Sequence, residues 1–459
     1  MINKRNSAII KIPYSIVIVS GLIIFICFSC STKPQYTKSY VSDQLKKQYG
    51  FDLNKKQNTG IATIPLSVDI TNGISEDEAV SIALYNNAQY QADLVSISIS
   101  QADLIDAGIV SNPLLRYLLP SGGLNVTGYI NFGLDYIWQR PKRIALAQSE
   151  IERTAESMIQ KGYTVIRDVL TSFADFQLAK ERAAILLENL RIRSEIARLN
   201  NVRFRLGEIS KLETSLSRAD SAAAFDELLK AGLDSILRNN RLNTLLGYSP
   251  DTLIAYKVTP VNFISQKISL QQFLKLAYEN QPELKSAQLA INAAGKKAGL
   301  ERSRILAFIT TLGFSHIDSK GGSKVLPNAF QLGIQMELPI LNRNQGKIAK
   351  ARAELEQASF NYVALRQRIA LDVADAYDRF EQNFKSYTIY NSDVLTALEE
   401  TVRLVSITFK RGDISYLPVL EAMRQLVTGR LRKVEIEADL RRSISQLNFV
   451  IGKKINTQY

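Results

Sequence analysis

The sequence is poor in the side chains that most often perform catalysis or bind metals. It has one histidine, His316, two cysteines, Cys27 and Cys30, and four methionines in 459 residues. A lone histidine cannot assemble a metal site or an acid–base pair without partners, so His316, at the end of a predicted strand, is expected in a loop or facing a pore. "KGGSK" (320–324) lacks the spacing of a phosphate-binding loop and is interpreted as a turn. The composition therefore predicts no enzyme, no metal site and no cofactor.

Both cysteines lie near the N-terminus, in a pattern typical of an export signal. Basic residues precede an apolar run over 14–28, and "FSCSTKPQ" follows. The run is shorter than the roughly 20 residues that a spanning helix prefers. We therefore interpret 1–29 as a signal peptide and expect lipidation of Cys30, with an ordinary cleaved signal or an uncleaved anchor as alternatives. In either cleaved form, a disulfide framework is excluded.

The net charge of +13 raises nucleic acid as a partner. The basic residues, however, alternate with acidic ones along helical segments such as "EIEADLRRS", without an aromatic platform for stacking bases. An exported protein also meets no genome. We interpret the charge as a solvated helix surface and predict no nucleic-acid partner.

The chain contains an internal duplication. Ile144 to Phe176 align with Ile348 to Phe380 at an offset of 204, whereas "RFRLGEIS" (203–210) matches "TFKRGDIS" (408–415) at an offset of 205. Near the front, 74–89 matches 268–283 at an offset of 194. Each half therefore follows one order: helix, strand pair, long helix, tip, long helix.

The duplication sets the predicted domain boundaries. An extended, lipid-anchored segment is expected over 30–72, repeat 1 over 73–250, a linker over 251–267 and repeat 2 over 268–455. Within repeat 1 the strand pair is predicted over 113–138 and the helical hairpin over 141–247. Within repeat 2 the corresponding ranges are 304–338 and 346–452.

The predicted strands alternate apolar and polar residues, as in "NAFQLGIQMEL" (328–338). Three of the four have the length of a tilted strand that crosses a bilayer. A membrane tolerates no open sheet edge, so the chain is expected to oligomerise, and three copies would supply twelve strands. Pro141, Pro339 and Gly346 are predicted to form the turns from the strands into the long helices.

The long helices have no place in an ordinary globular core. Each of the two first hairpin helices is predicted to run for about 60 residues, or about 90 Å. In each hairpin the chain reverses its direction at a glycine, Gly207 in the first and Gly412 in the second. Glycine permits a tight turn between two helices. Helices from three copies would surround a hollow tunnel in line with the strand barrel, so the architecture predicts a conduit.

The turn "LPILNRNQGKIAKARAELEQA" (338–358), the tips "RFRLGEIS" and "TFKRGDISYLPVLEA", and "LNFVIG" (447–452) resemble the TolC-like outer-membrane efflux proteins, over about 70–455. The similarity is greatest to the cation and multidrug efflux lipoproteins. It implies a mainly α chain with a membrane β-barrel, a homotrimer with a twelve-stranded barrel in the outer membrane, and an α-helical tunnel in the periplasm. It implies as partners a periplasmic adaptor and an inner-membrane pump of the resistance-nodulation-division class. "WQRPKR" in repeat 1 departs from the pattern, because it is four residues shorter than its counterpart.

The resemblance also implies where partners and cargo contact the chain. The tips are expected to dock the adaptor, and Glu213 and Glu421 to ring the periplasmic entrance and select cations. The alternatives are that the tip residues only cap helices and that the two glutamates lie on a solvated face. The tip residues are Arg203, Arg205, Gly207, Glu208, Lys410, Arg411, Gly412 and Asp413.

Three functions were weighed on these features. A passive exit duct accounts for the amphipathic strands, which a lipid-anchored helical scaffold does not need. A hydrolase of the cell envelope is disfavoured because histidine, the usual general base, is nearly absent. The cargo is left open, since a wide polar lumen need not recognise what it conducts.

Overall fold

The computed structural model describes residues 35–53, 73–118, 125–252, 254–257, 269–317, 328–411 and 413–455. The predicted signal peptide, Cys30 and Gly412 lie outside these residues. From Tyr36 onward the chain forms one unit. It is mainly helical and carries one small antiparallel sheet.

The two repeats have the same order of elements. Preceding them is α1 (Lys38–Tyr49). Repeat 1 comprises α2 (Glu76–Asn86), α3 (Ala88–Gly108), β1 (Leu114–Leu118), β2 (Asn125–Gly133), α4 (Asp135–Arg205) and α5 (Lys211–Leu245). Repeat 2 comprises α6 (Leu270–Asn280), α7 (Pro282–Ser303), β3 (Phe308–Ile317), β4 (Asn328–Met336), α8 (Gln345–Ile389), a π-helical turn (Tyr390–Val394), α9 (Leu395–Lys410) and α10 (Tyr416–Ile451).

Matching caps start the first helix of each repeat. The Ser75 hydroxyl accepts from the Glu78 N–H while Glu78 accepts from the Ser75 N–H, and Ser269 and Gln272 form the same pair in repeat 2. Such a capping box satisfies two backbone donors that a helix N-terminus otherwise leaves without partners. The two serines are 194 residues apart, so the duplication extends to the local chemistry of the helix ends.

Helix α1 corrects the sequence interpretation of 30–72 as an extended segment, which is wrong over Lys38–Tyr49. Its Val41, Leu45 and Tyr49 are buried at successive four-residue steps, so one narrow face packs on the body. The Tyr49 hydroxyl donates to the Asn448 carbonyl oxygen at 2.7 Å, close to the C-terminal end of α10. Helix α1 is thus fixed against both repeats by apolar packing and hydrogen bonds.

The sheet has the order β1-β2-β3-β4, with every neighbouring pair antiparallel. All four predicted strands are present, but their bounds differ. The largest difference is in β2, which ends at Gly133 rather than at 138, so Tyr136 and Trp138 lie on α4.

The early end of β2 has a steric cause at Gly133. The Tyr136 ring lies 2.8 Å from where a Cβ on Gly133 would be, so the chain folds back over this glycine. The edge of the Trp138 ring then packs on Phe308, at 5.4 Å between ring centroids. Pro141 lies inside α4 and is not the turn that the sequence predicted.

Four long helical segments lie side by side: α5, α4, α10, and the segment that α8, the π-helical turn and α9 form together. Helix α4 packs against α5 on one side and α10 on the other, and α10 packs against α8 and α9. The 71 residues of α4 give it a length of about 105 Å at 1.5 Å per residue. The row therefore ends in α5 on one side and in α8 and α9 on the other.

An ion pair with a buried carboxylate joins the two repeats near α1. The Glu156 carboxylate on α4 is only 4% exposed and accepts hydrogen bonds from the Lys285 ammonium on α7 and from the Tyr40 hydroxyl on α1. Each repeat also has a large apolar cluster. One is formed mainly by α1 with the helices of repeat 1, and the other mainly by α6, α8 and α10. Within the described ranges, no helix combines the length and the apolar character needed to cross a membrane.

Candidate functional site

The sheet has one apolar and one polar face. Leu115, Ile130, Leu312 and Leu332 are paired across all four strands, and directly opposed residues of antiparallel strands share a face. Leu115 and Leu332 are 71% and 68% exposed, so this apolar row is open to its surroundings. An exposed apolar sheet face is costly in water and favourable against lipid.

The opposite face of the sheet is polar. Asn131 is paired with Thr311, and the Thr311 hydroxyl lies 2.8 Å from the Asn131 Oδ1. Arg116 and Gln331 lie on this face at the neighbouring level. The alternation of the two faces is that of a barrel strand, which presents apolar residues to lipid and polar ones to a lumen.

The turn into the second long helix depends on Asn344 and not on Gly346. Asn344 has a φ of 56°, and it is the non-glycine residue with positive φ in the part of the chain described. Its Nδ2 donates to both the backbone oxygen and the Oε2 of Glu301 at the end of α7, at 2.8 and 2.9 Å. Gly346 is the second residue of α8, and Pro339 lies in the connection between β4 and that helix.

The first hairpin tip is a compact turn closed by its own side chains. Gly207 has a φ of 78°, and the Glu208 N–H donates to the Arg203 carbonyl oxygen at 2.9 Å, which terminates α4. The Arg203 Nε donates to the Glu208 carboxylate at 3.1 Å. Arg205 is exposed beside this pair.

The two tips lie next to each other. The Arg203 guanidinium lies 5.8 Å from the Phe409 ring centroid of the second tip. A pocket of about 330 Å³ opens between the tips, and Glu208, Glu213 and Asp413 contribute its carboxylates. Asn200, which is 3% exposed, also lines it, and the Asn200 Nδ2 has no hydrogen-bond partner.

The remaining tip residues of the sequence prediction are less closely grouped. Arg411 is exposed at the end of α9. Lys410 is the last residue of α9, and Gly412 lies outside the described residues. The structure thus brings Arg203, Glu208 and Asp413 around one pocket and leaves the other charges at its margin.

The two predicted entrance glutamates have different surroundings. Glu213 caps α5, because its carboxylate accepts from the Ser210 N–H at 3.2 Å. Glu421 is exposed on α10 and accepts from the Gln425 side chain at 3.0 Å. Glu213 therefore has a helix-capping role that the sequence analysis did not assign to it, and Glu421 keeps a carboxylate exposed to solvent.

Sequence analysis missed the ion pairs that connect the two hairpins. Arg424 on α10 donates to Asp220 on α5 at 2.8 Å, and Arg430 bridges Glu188 on α4 and Glu399 on α9. Further from the tips, Arg442 donates to Asp175 at 2.7 Å. The three pairs that join repeat 2 to repeat 1 connect residues that are 204 to 267 positions apart in the sequence. No local sequence pattern indicates such pairs.

No group of three or more histidine, cysteine, aspartate or glutamate side chains in the described part of the chain is placed to hold a metal ion. His316 lies in β3, one residue before the end of that strand.

Comparison with known proteins agrees with this description. Residues 273–453 match the family model for outer membrane efflux proteins. The cobalt-zinc-cadmium resistance protein CzcC of Cupriavidus metallidurans is 21% identical over 402 residues, which cover 87% of this chain and 95% of CzcC. The cation efflux system protein CusC of Escherichia coli is 24% identical over 315 residues, 68% of each chain.

Solved structures show the same fold. A crystal structure of CusC has a TM-score of 0.70 at 20% identity and covers 87% of this chain and 96% of that one. The outer membrane protein VceC of Vibrio cholerae has a TM-score of 0.67 at 15% identity, over 82% of this chain and 96% of its own. Residues 273–453 thus match the outer membrane efflux protein family, and the chain shares its fold with these solved structures.

Proposed function

We propose that the chain forms the outer-membrane exit duct of a tripartite efflux system. It conducts substrates passively from a periplasmic adaptor and an inner-membrane pump of the resistance-nodulation-division class to the outside of the cell. The observation that carries this function is the sheet with one apolar and one polar face, continued by long helices of which α4 reaches about 105 Å. A passive duct needs no catalytic residue, because the pump supplies the energy.

A single copy cannot be the duct, because β1 and β4 are edge strands of its sheet. A bilayer contains no water to bond the free N–H and C=O groups of an edge, so each edge must pair with another copy. Three copies joined β4 to β1 give a closed barrel of twelve strands, which is wide enough for a lumen. A homotrimer with a twelve-stranded barrel therefore completes the sheet.

The helix row supports the same closure. Its two outer members carry apolar side chains that are more than half exposed, so α5 of one copy fits against α8 and α9 of the next. Burial of each such side chain contributes about 1.5–3 kcal/mol. On α5 these residues are Phe225, Leu229, Leu233, Ile236 and Leu237, and on α8 and α9 they are Phe360, Val363, Leu371, Ile389 and Leu404.

The tips are the docking surface for the adaptor. They are the farthest points of both hairpins from the sheet, and Arg203, Glu208 and Asp413 present charges of both signs around the pocket between them. Arg205, Gly207 and Arg411 complete this surface, and the sequence match between the two tips is the ground for adding Lys410 and Gly412 to the proposal. Exposed charges at an interface rim set the association rate and the choice of partner.

Glu421 forms the selective part of the periplasmic entrance. Threefold symmetry places three copies of its exposed carboxylate around the axis, where they attract cations. Glu213 contributes to the same ring only as far as its capping bonds to Ser210 allow. Metal cations are the cargo class to test first, since CzcC and CusC are named for cobalt, zinc and cadmium resistance and for cation efflux.

A lipid-anchored helical scaffold is the alternative function. It explains the long helices, but it has no use for a sheet whose exposed face is apolar across four strands. The lipid at Cys30 belongs to both functions and would hold the N-terminus at the membrane. Mass spectrometry of the mature protein with a Cys30→Ser control tests that anchor separately.

The deciding experiment measures assembly and conductance together. The protein is extracted in detergent, and its mass is determined after subtraction of the bound detergent. We expect a trimer that dissociates only on heating and that produces large, stable conductance steps in planar bilayers. A monomer that is soluble without detergent, or a trimer with no conductance, would replace the duct by the scaffold.

The entrance is tested on the same channels. Glu421→Gln should lower the cation-to-anion permeability ratio severalfold at low salt, because three carboxylates are lost where field lines converge. Glu435→Gln is the control, since Glu435 lies on the same helix about 20 Å further from the tip. An unchanged ratio in Glu421→Gln would place this glutamate on a solvated outer face.

A further inference from the structure

The two hairpins differ by one residue, and the structure shows where that residue is accommodated. The offset between the repeats is 204 at Phe176 and Phe380 but 205 at Phe204 and Phe409, so repeat 2 has one extra residue between these points. Helix α4 passes through the equivalent stretch as a continuous α-helix. In repeat 2 the same stretch contains the π-helical turn Tyr390–Val394.

The π-helical turn absorbs the inserted residue without rotating the rest of the helix. The Leu395 N–H donates to the Tyr390 carbonyl oxygen, five residues back, instead of four as in an α-helix. An insertion into an α-helix would otherwise turn every later side chain by about 100°. Helix α9 therefore keeps its apolar face on α10, as the packing of Val405 and Phe409 against Val419 and Leu420 shows.

Side-chain hydroxyls bond backbone carbonyls at both ends of the turn. The Ser392 hydroxyl donates to the Thr388 carbonyl oxygen at 2.9 Å, and the Thr396 hydroxyl donates to the Ser392 carbonyl oxygen at 3.1 Å. Hydroxyl groups that bond carbonyls four residues back favour bending of a helix. No residue of the turn itself is buried.

The partner helix makes room for α9 directly beyond the turn. A Cβ on Gly429 of α10 would lie 2.5 Å from the Leu398 Cδ1 and 3.7 Å from the Leu395 Cδ2. The residue equivalent to Gly429 in repeat 1, at an offset of 205, is Ala224. The glycine thus occurs in the hairpin that has the π-helical turn, at the level where that turn ends.

The packing differs between the two sides of the turn. On the sheet side of the turn, α8 and α10 share a large apolar cluster with α6. On the tip side, the second hairpin rests on the first through the small cluster around Val419 and Leu420 and through the ion pairs of Arg424 and Arg430. The part of the second hairpin over 395–429 is therefore the less firmly packed part.

We propose that Tyr390–Val394 and Gly429 form a joint at which the distal part of the second hairpin, 395–429, bends to open the periplasmic entrance, while the first hairpin stays straight. The joint rests on the proposed function of the chain as a duct. Helix kinks occur at π-helical turns because the ladder of hydrogen bonds is already interrupted there. Closing motions need a few residues that absorb the change in backbone angles.

Deletion of Asn391 tests the joint, because it removes the extra residue and restores the offset of 204 throughout. The deletion should convert the turn into continuous α-helix with α9 in its present rotational position. Asn391→Ala is the matched control, since it removes the same exposed side chain and keeps the chain length. In planar bilayers the deletion should lower the opening frequency on the order of tenfold, and the control should not.

Amide hydrogen exchange of the wild-type trimer tests the joint without any variant. Exchange over 389–395 should be on the order of tenfold faster than over 185–190, the equivalent stretch of α4. Equal protection of the two stretches would overturn the joint. So would channels of the deletion variant that open as often as the wild type.

A glycine pair covers the case in which the deletion variant does not assemble. Gly429→Ala crowds Leu398 at the joint and should change the opening frequency, whereas an added Cβ on Gly232 of α5 contacts nothing within 4 Å. Equal behaviour of Gly429→Ala and Gly232→Ala would also overturn the joint. A wild-type trimer that forms no channels would instead refute the duct itself, so the two failures are distinguishable.

Discussion

Among single residues, Asn344 shows how a local conformation that is rare for L residues is held in place. Its left-handed backbone costs about 1–2 kcal/mol for a residue with a Cβ, and asparagine tolerates it better than most. The two hydrogen bonds from its side chain to Glu301 offset that cost. The sequence pattern singled out Gly346 in the same turn, but Gly346 has an ordinary helical backbone.

Asn344→Ala should destabilise the protein by about 2 kcal/mol or more, because it loses the bonds to Glu301 and strains the backbone. Asn344→Gly should cost less, since glycine adopts the left-handed conformation freely. Gly346→Ala should be neutral or stabilising by up to about 1 kcal/mol, because an added Cβ contacts nothing within 4 Å. The midpoint of thermal unfolding in detergent ranks the three. A large loss in Gly346→Ala would restore that glycine as the turn residue.

Glu437 is a second residue whose surroundings have a measurable effect. Burial raises the pKa of its carboxyl, and the charge of Glu181 adds to this, against Lys433 and Arg441, which lower it. A carboxyl with a raised pKa in the folded state stabilises the protein when protonated. That contribution is present below the ordinary value of 4.5 and is lost as the pH rises through the raised pKa.

Glu437→Gln should therefore raise the midpoint of thermal unfolding at pH 7 and give no such gain at pH 4. The amide stays neutral at both pH values, so the burial cost of the charge disappears only where the wild type is ionised. Glu435→Gln is the control, because Glu435 is more exposed and pairs with Arg432. A gain of equal size at both pH values would assign the effect to packing instead of charge.

At the level of elements, the sequence predicted the helices and strands whose apolar residues follow a regular period. The pattern Ile130, Phe132, Leu134, Tyr136, Trp138 misled, because its alternation continues past Gly133, where the strand ends and the absence of a Cβ lets the Tyr136 ring pack on the backbone. The contact between the tips and the order of the helix row depend on residues about 200 positions apart, which no local period encodes. The π-helical turn was readable in principle, since the offset changes by one residue across it.

Helix α1 was missed because only three residues at four-residue steps form its apolar face, in an otherwise polar segment. Leu45→Ala should destabilise its attachment by about 2–5 kcal/mol, since Leu45 is fully buried. Amide exchange over 38–49 should become faster while the distal hairpins are unaffected. Lys47→Ala, on the exposed side of the helix, should change neither quantity. Unaltered protection in Leu45→Ala would mean that α1 is held by its hydrogen bonds alone.

At the level of the whole molecule, a row of four long helices with apolar outer members is incomplete as a single chain. The exposed apolar side chains on α5 and on α8 and α9 need a covering surface, and the open sheet edges need partners at the same time. A closed ring of copies satisfies both needs at once. The proposed trimer is such a ring.

Leu233→Glu should weaken the trimer, because it places three charges at the three proposed contacts between copies. The loss of about 1.5–3 kcal/mol per contact should lower the temperature at which the trimer dissociates in detergent. Leu187→Glu is the matched control, because Leu187 is partly exposed on α4, an inner member of the row. The proposed contact of α5 with α8 and α9 of the next copy would be refuted if Leu187→Glu dissociated the trimer and Leu233→Glu did not.

The buried Glu156 carboxylate also bears on the evolutionary origin of the chain. The residue equivalent to Glu156 in repeat 2, at an offset of 204, is Phe360, which is 68% exposed in the single chain and lies at the proposed contact between copies. A duct of six identical half-length chains would need one position to carry both a buried, paired glutamate and a phenylalanine that packs against the next copy. Fusion of two halves removed that conflict, because each half could then diverge for its own neighbours. The present chain can no longer be divided back into two equal subunits.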